Sequence, residues 1–280
     1  MDFTSPDGAQ KYAAVVAAAS KLIVACDFDG TLSPIVDDPT QARIHPDAAD
    51  VLVALAGQVE AIAVVTGRPA RQVVALGGLE EIGDAMAALG TELLVFGQYG
   101  NERWSSAHRS IVGPRPPRGL AHFLGELPRT LREADAADAY VEDKGLAIAV
   151  HTRRLPDPAA AYERLRGPLS ELAERQGLSI EPGKQVIEVR AGGMHKGLVV
   201  ERLAEEAGAG AFLFAGDDLG DVEAFEAVAA LAKDGLPTLL VCSASDEESA
   251  LVPLSDVVVH GPDGVLDLLR RLTADAAAGE

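Results

Sequence analysis

Six short, unbroken apolar runs punctuate this chain: Leu22 to Cys26, Ala61 to Val65, Leu93 to Phe96, Phe212 to Ala215, Leu239 to Cys242 and Val257 to Val259. A run with no polar alternation suits a strand buried on both faces, as in a parallel sheet covered by helices. Between the runs, Asp47 to Leu55, Ala70 to Leu76, Lys196 to Ala207, Asp221 to Leu231 and Gly264 to Leu272 place apolar residues three and four apart. That is the spacing of amphipathic helices. The combination predicts a doubly wound, Rossmann-like α/β core with a parallel sheet.

One stretch breaks the rhythm. From Pro114 to Gly192 the chain carries 12 basic and 12 acidic residues, so the flanking segments hold all of the net charge of −19. Turn and linker chemistry at Gly113 to Gly119 and at Ala191 to Gly193 bounds this stretch. We therefore expect a core of residues 1–113 and 193–280 with an inserted α+β domain of residues 114–192. Within the insert the pattern gives helices over Leu120 to Arg132 and Ala159 to Glu174. Strand pairs are expected around Tyr140 to Thr152 and Leu178 to Val189, with corners at Gly145 and at Glu181-Pro182-Gly183-Lys184.

Composition excludes several classes. An apolar fraction of 48% with 24% charged residues indicates a folded chain with a large core. No apolar run approaches the roughly 18 residues that would span a bilayer. The acidic balance disfavours nucleic acid and anionic membranes as partners. Met1 to Lys21 lacks the order of a secretory signal, so a cytoplasmic location is expected. Cys26 and Cys242 lie inside apolar runs and read as small buried hydrophobes, not as a disulfide. The Ala-rich tail Thr273 to Glu280 is expected to fray. The sequence leaves the oligomeric state open and is compatible with a monomer.

In open α/β sheets, ligands bind outside the carboxyl ends of the strands. Here those ends are polar: Asp27-Phe28-Asp29-Gly30-Thr31 after the first run, Thr66-Gly67-Arg68 after the second, Gly216-Asp217-Asp218 after the fourth. Asp27 and Asp29, two residues apart, can face one cavity while Gly30 lets the backbone turn. An EF-hand reading of Asp-x-Asp-Gly fails, because position twelve is Asp38 instead of Glu. Asp217, Asp218 and Asp221 would repel one another unless a cation neutralised them, and hard oxygen donors select Mg2+. The alternative for Asp218 and Asp221 is a helix cap. Thr66, Gly67, Arg68 and Lys196 together can cradle a phosphoryl group. No P-loop, G-x-G-x-x-G or G-x-S-x-G motif is present.

These four motifs, in this order, resemble the signature of the haloacid dehalogenase superfamily of phosphatases. Ser33-Pro34, Glu142-Asp143-Lys144-Gly145, Val186-Ile187-Glu188-Val189-Arg190 and Gly193-Met194-His195-Lys196-Gly197 further resemble the trehalose-6-phosphate phosphatases, over Leu22 to Leu269. The resemblance implies Mg2+-dependent hydrolysis of a sugar phosphate through an aspartyl-phosphate. In that scheme Asp27 is the nucleophile and Asp29 the acid and base, with Thr66 and Lys196 orienting the phosphoryl oxygens. It implies that Asp27, the Asp29 backbone carbonyl and Asp217 hold the metal, and that Asp218 and Asp221 hold its waters. The insert would be a lid reading the sugar through Glu142, Lys144 and Glu188, with His151, Arg153 and Arg190.

Two departures stand out. Gly97-Gln98-Tyr99-Gly100 puts Tyr99 where many relatives have His, so Tyr99 is expected to contact substrate through its hydroxyl. Gly220 and Val222 replace a Thr and a Glu that often flank Asp221. Another sugar-phosphate phosphatase, a phosphomutase and a phospho-acceptor signalling module stay open at this point. Asp29 and the long insert favour an enzyme.

Overall fold

The computed structural model describes residues 2–4, 7–36, 38–183, 185–245 and 250–279. The chain divides into two compact units, Met1–Gly113 with His195–Glu280, and Pro114–Met194.

The first part of the larger unit runs β1 (Asp2–Phe3), α1 (Gly8–Ala17), β2 (Leu22–Cys26), α2 (Ala48–Ala56), β3 (Ala61–Val65), α3 (Ala70–Gly77), α4 (Leu79–Ala87), β4 (Glu92–Gly97) and β5 (Glu102–Ser105). The smaller unit follows as α5 (Arg118–Glu133), β6 (Tyr140–Asp143), β7 (Ala147–His151), α6 (Pro158–Arg175), β8 (Ser179–Gly183) and β9 (Val186–Arg190). The chain then completes the larger unit with α7 (Lys196–Glu206), β10 (Ala211–Gly216), α8 (Val222–Lys233), β11 (Thr238–Ala244), β12 (Val257–His260) and α9 (Gly261–Ala278).

All six apolar runs are strands of one eight-stranded sheet, in the order β1-β12-β11-β10-β2-β3-β4-β5. Every pairing from β12 to β4 is parallel. Successive side chains feed two separate cores, as the strand period of two requires. Val24 and Cys26 of β2 join α1, α2, α3, α4 and α9 on one face. Ile23 and Ala25 join α7 and α8 on the other. Cys26 and Cys242 therefore stand on opposite faces of the sheet, both as free thiols.

From β2 the chain winds outward one way through β3 and β4, and after the insert it winds the other way from β10. The order reverses between β2 and β10, which leaves a crevice at their carboxyl ends.

The smaller unit is an antiparallel sheet, β6-β7-β9-β8, with α5 and α6 on one face. Leu120, Phe123, Leu127 and Leu131 of α5 meet Ile148, Val150, Ile187 and Val189 in its core.

Some features differ from the sequence reading. Both sheet edges are antiparallel, β1 on β12 and β5 on β4, because these strands are too short and polar to register as apolar runs. The tail is helical through Ala278. Ala276 is buried there, and Asp275 accepts a hydrogen bond from the Tyr12 hydroxyl at 2.8 Å, contacts that suppress fraying. Lys184, expected at a hairpin corner, lies outside the described residues.

Candidate active site

Asp27 extends the β2 ladder by one residue, its N–H donating to the Ala215 carbonyl at 2.8 Å. The chain then turns sharply, with Leu32 and Ser33 both donating to the Phe28 carbonyl. Gly30 sits at φ +70°, and a Cβ there would collide with the Asp217 carboxylate, so this turn needs glycine twice over. β10 ends at Gly216 and delivers Asp217 beside it.

Lys196 is the first residue of α7 and is buried. Its Nζ lies 2.8 Å from Asp27 Oδ1 and 2.6 Å from Asp221 Oδ1. Asp221 has no solvent exposure, and its second oxygen accepts from the Asp217 N–H at 3.1 Å. Both oxygens of Asp221 are thus engaged within the protein. Asp218 accepts from the Gly220 N–H at 2.8 Å and caps the turn that leads into α8.

Carboxylate oxygens of Asp27, Asp217 and Asp221 lie within 4.8 Å of one another. Burial pushes Asp27 up to about 8 even though Lys196 pulls it down, and burial together with Asp27 and Asp218 pushes Asp217 up to about 10. Asp221 is also raised, by burial first. For Lys196 burial works against the charge, but Asp221 and Asp27 outweigh it and hold the ammonium well above its ordinary value. One ammonium does not neutralise this many carboxyls. A compact set of hard oxygens that one ammonium cannot keep ionised fits a divalent ion such as Mg2+. Lys196 and an amide engage both oxygens of Asp221, while Lys196 meets Asp27 through Oδ1.

Thr66 follows β3, its N–H donating to the Phe96 carbonyl and its hydroxyl accepting from the Arg68 N–H at 3.1 Å. Gly67 lies against the Tyr99 phenol, where a Cβ would stand 2.8 Å from the ring. Gln98 and Tyr99 both have left-handed backbones, at φ 48° and 59°. Such conformations are costly for non-glycine residues and persist where surrounding structure enforces them. Here the Gln98 N–H donates to Arg68 and the Tyr99 N–H to Thr66, locking this loop onto the Thr66-Gly67-Arg68 turn. The Arg68 guanidinium bonds both carboxylate oxygens of Asp29, and it also donates to the Pro39 carbonyl.

In the smaller unit the sheet register sets Glu142, Ala149, Glu188 and Glu181 in one row. This face is opposite the one that packs on α5 and α6. Lys144 Nζ pairs with Glu188 Oε2 at 2.5 Å, and His151 Nε2 meets Glu142 Oε2 at 3.0 Å. Arg190 pairs with Glu181 at 3.0 Å and donates to the Met194 carbonyl at 2.6 Å. Arg153 lies exposed beyond the end of β7. The face is a floor of small Ala147 and Ala149 flanked by paired charges.

Sequence reasoning passed over Ser243, at the end of β11, whose buried hydroxyl donates to the Gly30 carbonyl at 2.6 Å. A lone Ser just past an apolar run carries no local signal for a contact 213 residues away.

With this geometry in place, the comparison with known proteins is direct. The sequence profile of the trehalose-phosphatase family matches residues 25–92 and 132–257, which include Asp27 to Thr31, Thr66 to Arg68, Lys196 and Gly216 to Asp221 but not the Gly97 to Gly100 loop. The chain belongs to the trehalose-phosphatase family. Among curated relatives of the family member, a protein of Mycobacterium tuberculosis named as an uncharacterized glycosyl hydrolase is 32% identical over 238 residues. That match covers 80% of this chain but only 17% of the relative's length. A probable trehalose-phosphate phosphatase of Oryza sativa subsp. japonica is 28% identical, covering 98% of this chain and 76% of the relative. The solved C-terminal domain of the Candida albicans trehalose-6-phosphate phosphatase superposes with a TM-score of 0.76 at 19% identity, covering 98% of each chain. The fold is accordingly that of the haloacid dehalogenase type. No helix among the described residues is long and apolar enough to cross a membrane.

Proposed function

We propose that this protein hydrolyses trehalose 6-phosphate to trehalose and phosphate, with Asp27 as nucleophile and Mg2+ as cofactor. The observation that carries this reading is the buried group at the sheet's reversal point: Asp27 and Asp221 on either side of the Lys196 ammonium, with the Asp217 carboxyl beside them.

Asp27 presents a carboxylate oxygen to phosphorus, forming an aspartyl-phosphate as the sugar oxygen leaves. Asp29 donates a proton to that oxygen and later accepts one from the water that attacks the acyl phosphate. Lys196, fixed at both carboxylates, offsets negative charge on the phosphoryl oxygens. Thr66 offers its hydroxyl and Gly67 its N–H to the same oxygens, with Tyr99 as the wall beside them. Asp27, the Asp29 carbonyl and Asp217 would hold Mg2+, and Asp218 and Asp221 border that set. When bound, Mg2+ lowers the repulsion between a carboxylate nucleophile and a phosphate dianion. In the insert, Glu142, Lys144, His151, Glu188 and Arg190 supply the paired donors and acceptors that sugar hydroxyls require, and Arg153 stands at the margin. This makes the insert the substrate-recognition lid of the enzyme.

Phosphate release from a panel of sugar phosphates, with and without EDTA, tests the assignment. Trehalose 6-phosphate is expected to turn over fastest, EDTA to stop release, and Asp27→Asn to abolish turnover in a folded protein. Faster release from sucrose phosphate or mannosyl-phosphoglycerate would reassign the substrate, and a fully active Asp27→Asn would remove the mechanism.

A further inference from the structure

The four motifs come from strands β2, β3 and β10 and from helix α7, yet a residue of β11 also reaches the site. Ser243 is 1% exposed, and its hydroxyl donates to the Gly30 carbonyl at 2.6 Å. Gly30 has the widest backbone freedom in the turn that carries Asp27 and Asp29, and it adopts φ +70°. Two hydrogen bonds remove that freedom. The Gly30 N–H donates to the Ser33 carbonyl at 2.7 Å and fixes the peptide plane between Asp29 and Gly30. In a trans peptide the carbonyl points opposite the N–H, so this bond also aims the Asp29 carbonyl. Ser243 fixes the next plane, between Gly30 and Thr31. The Asp217 carboxylate packs directly on the Gly30 Cα side, so a rotation of Gly30 would displace it as well.

We propose that Ser243 is a positioning residue for the metal site, acting through Gly30 to hold the Asp29 carbonyl and the Asp217 carboxylate in register with Asp27. The proposal rests on the reading of these residues as Mg2+ ligands. It gives β11, which contributes no side chain to the proposed chemistry, a role in assembling the donor set. Partners of metal ligands commonly change affinity by about 10- to 100-fold when removed.

The test is the Mg2+ concentration that half-saturates the rise in melting temperature, measured on the full chain without substrate. Ser243→Ala is expected to raise that concentration at least about tenfold. Ser243→Cys, which keeps the volume but has only a weak donor, is expected to move it in the same direction. Thr91→Val is the control, because the Thr91 hydroxyl makes a matching buried bond to the Ala56 carbonyl at 2.6 Å, just before β4 at the amino end of the sheet. It should melt earlier yet keep the wild-type Mg2+ midpoint. An unchanged midpoint in both Ser243 variants overturns the role of Ser243, as does an equal shift in Thr91→Val. A wild type indifferent to Mg2+ overturns the metal reading itself, and the proposal with it.

Discussion

Arg68 grips both carboxylate oxygens of Asp29, through Nε at 2.6 Å and Nη2 at 2.7 Å, while its third nitrogen is tied to the Pro39 carbonyl at 2.8 Å. A planar guanidinium matched to a carboxylate fixes orientation as well as charge. The sequence suggested that Arg68 touches substrate directly. In the structure its guanidinium is engaged by Asp29 and by the Pro39 carbonyl.

This pairing gives the first expectation. Protonating the leaving group matters for a sugar alkoxide and little for a nitrophenolate. Asp29→Asn and Arg68→Ala should both lower kcat on trehalose 6-phosphate, Asp29→Asn by at least about 10²-fold, the scale of general acid–base groups. On p-nitrophenyl phosphate the loss in formation of the phosphoenzyme should be much smaller. Steady-state and burst kinetics on both esters decide it; an equal loss from Arg68→Ala on the two would separate Arg68 from Asp29.

Asp221 should prove as important to stability as to turnover. Its two oxygens serve Lys196 and the Asp217 N–H, and asparagine has only one acceptor oxygen to offer. Asp221→Asn is expected to cost about 3 kcal/mol, as for other broken buried pairs. Urea midpoints measure this, and a variant as stable as wild type would contradict the geometry.

Stability without metal should fall as pH rises. Asp27 and Asp217 ordinarily titrate near 3.8, but in the folded protein they reach about 8 and about 10. Between those values the folded chain holds protons that the unfolded chain has released, so their stabilising contribution is complete below 3.8 and is lost as pH climbs through the folded values. Mg2+ takes the place of those protons, so its affinity should increase over the same window. Melting curves of EDTA-treated protein across pH, and isothermal titration of Mg2+ in buffers of different ionisation enthalpy, read both effects. A melting temperature that rises with pH, or Mg2+ binding without proton release, would count against them.

For the insert, Glu188→Gln weakens the buried Lys144 pair and a hydrogen-bonding group of the proposed sugar face. The expected result is a KM for trehalose 6-phosphate raised about tenfold or more, the equivalent of a charge-assisted hydrogen bond. The KM for p-nitrophenyl phosphate should be unaffected. A parallel rise for both esters would place Glu188 outside sugar recognition.

The parts of this molecule legible in the sequence are those with local signals. Unbroken apolar runs marked the six central strands, and the acids Asp27-x-Asp29 and Asp217-Asp218 at the ends of the first and fourth runs drew attention to the site. Linker chemistry at Gly113 to Gly119 and at Ala191 to Gly193 suggested the insert's limits, and its compact unit runs Pro114–Met194. Contacts made across the fold carried no such signal. Arg68 and Asp29 are 39 residues apart, and nothing local in the sequence joined the one to the other. Ser243, just past the Leu239 to Cys242 run, drew no reading at all. The helical tail depends on Tyr12, at the other end of the chain, and the edge strand β5 is masked by Glu102 and Arg103.

Gly30 lies against the Asp217 carboxylate and Gly67 beneath the Tyr99 phenol, so neither turn has space for a single additional carbon. A lineage sampling new esters by point mutation meets a dead end at both places. Diversification is left to positions whose side chains already have neighbours that can yield, and these two turns should stay the same in every descendant that keeps the chemistry.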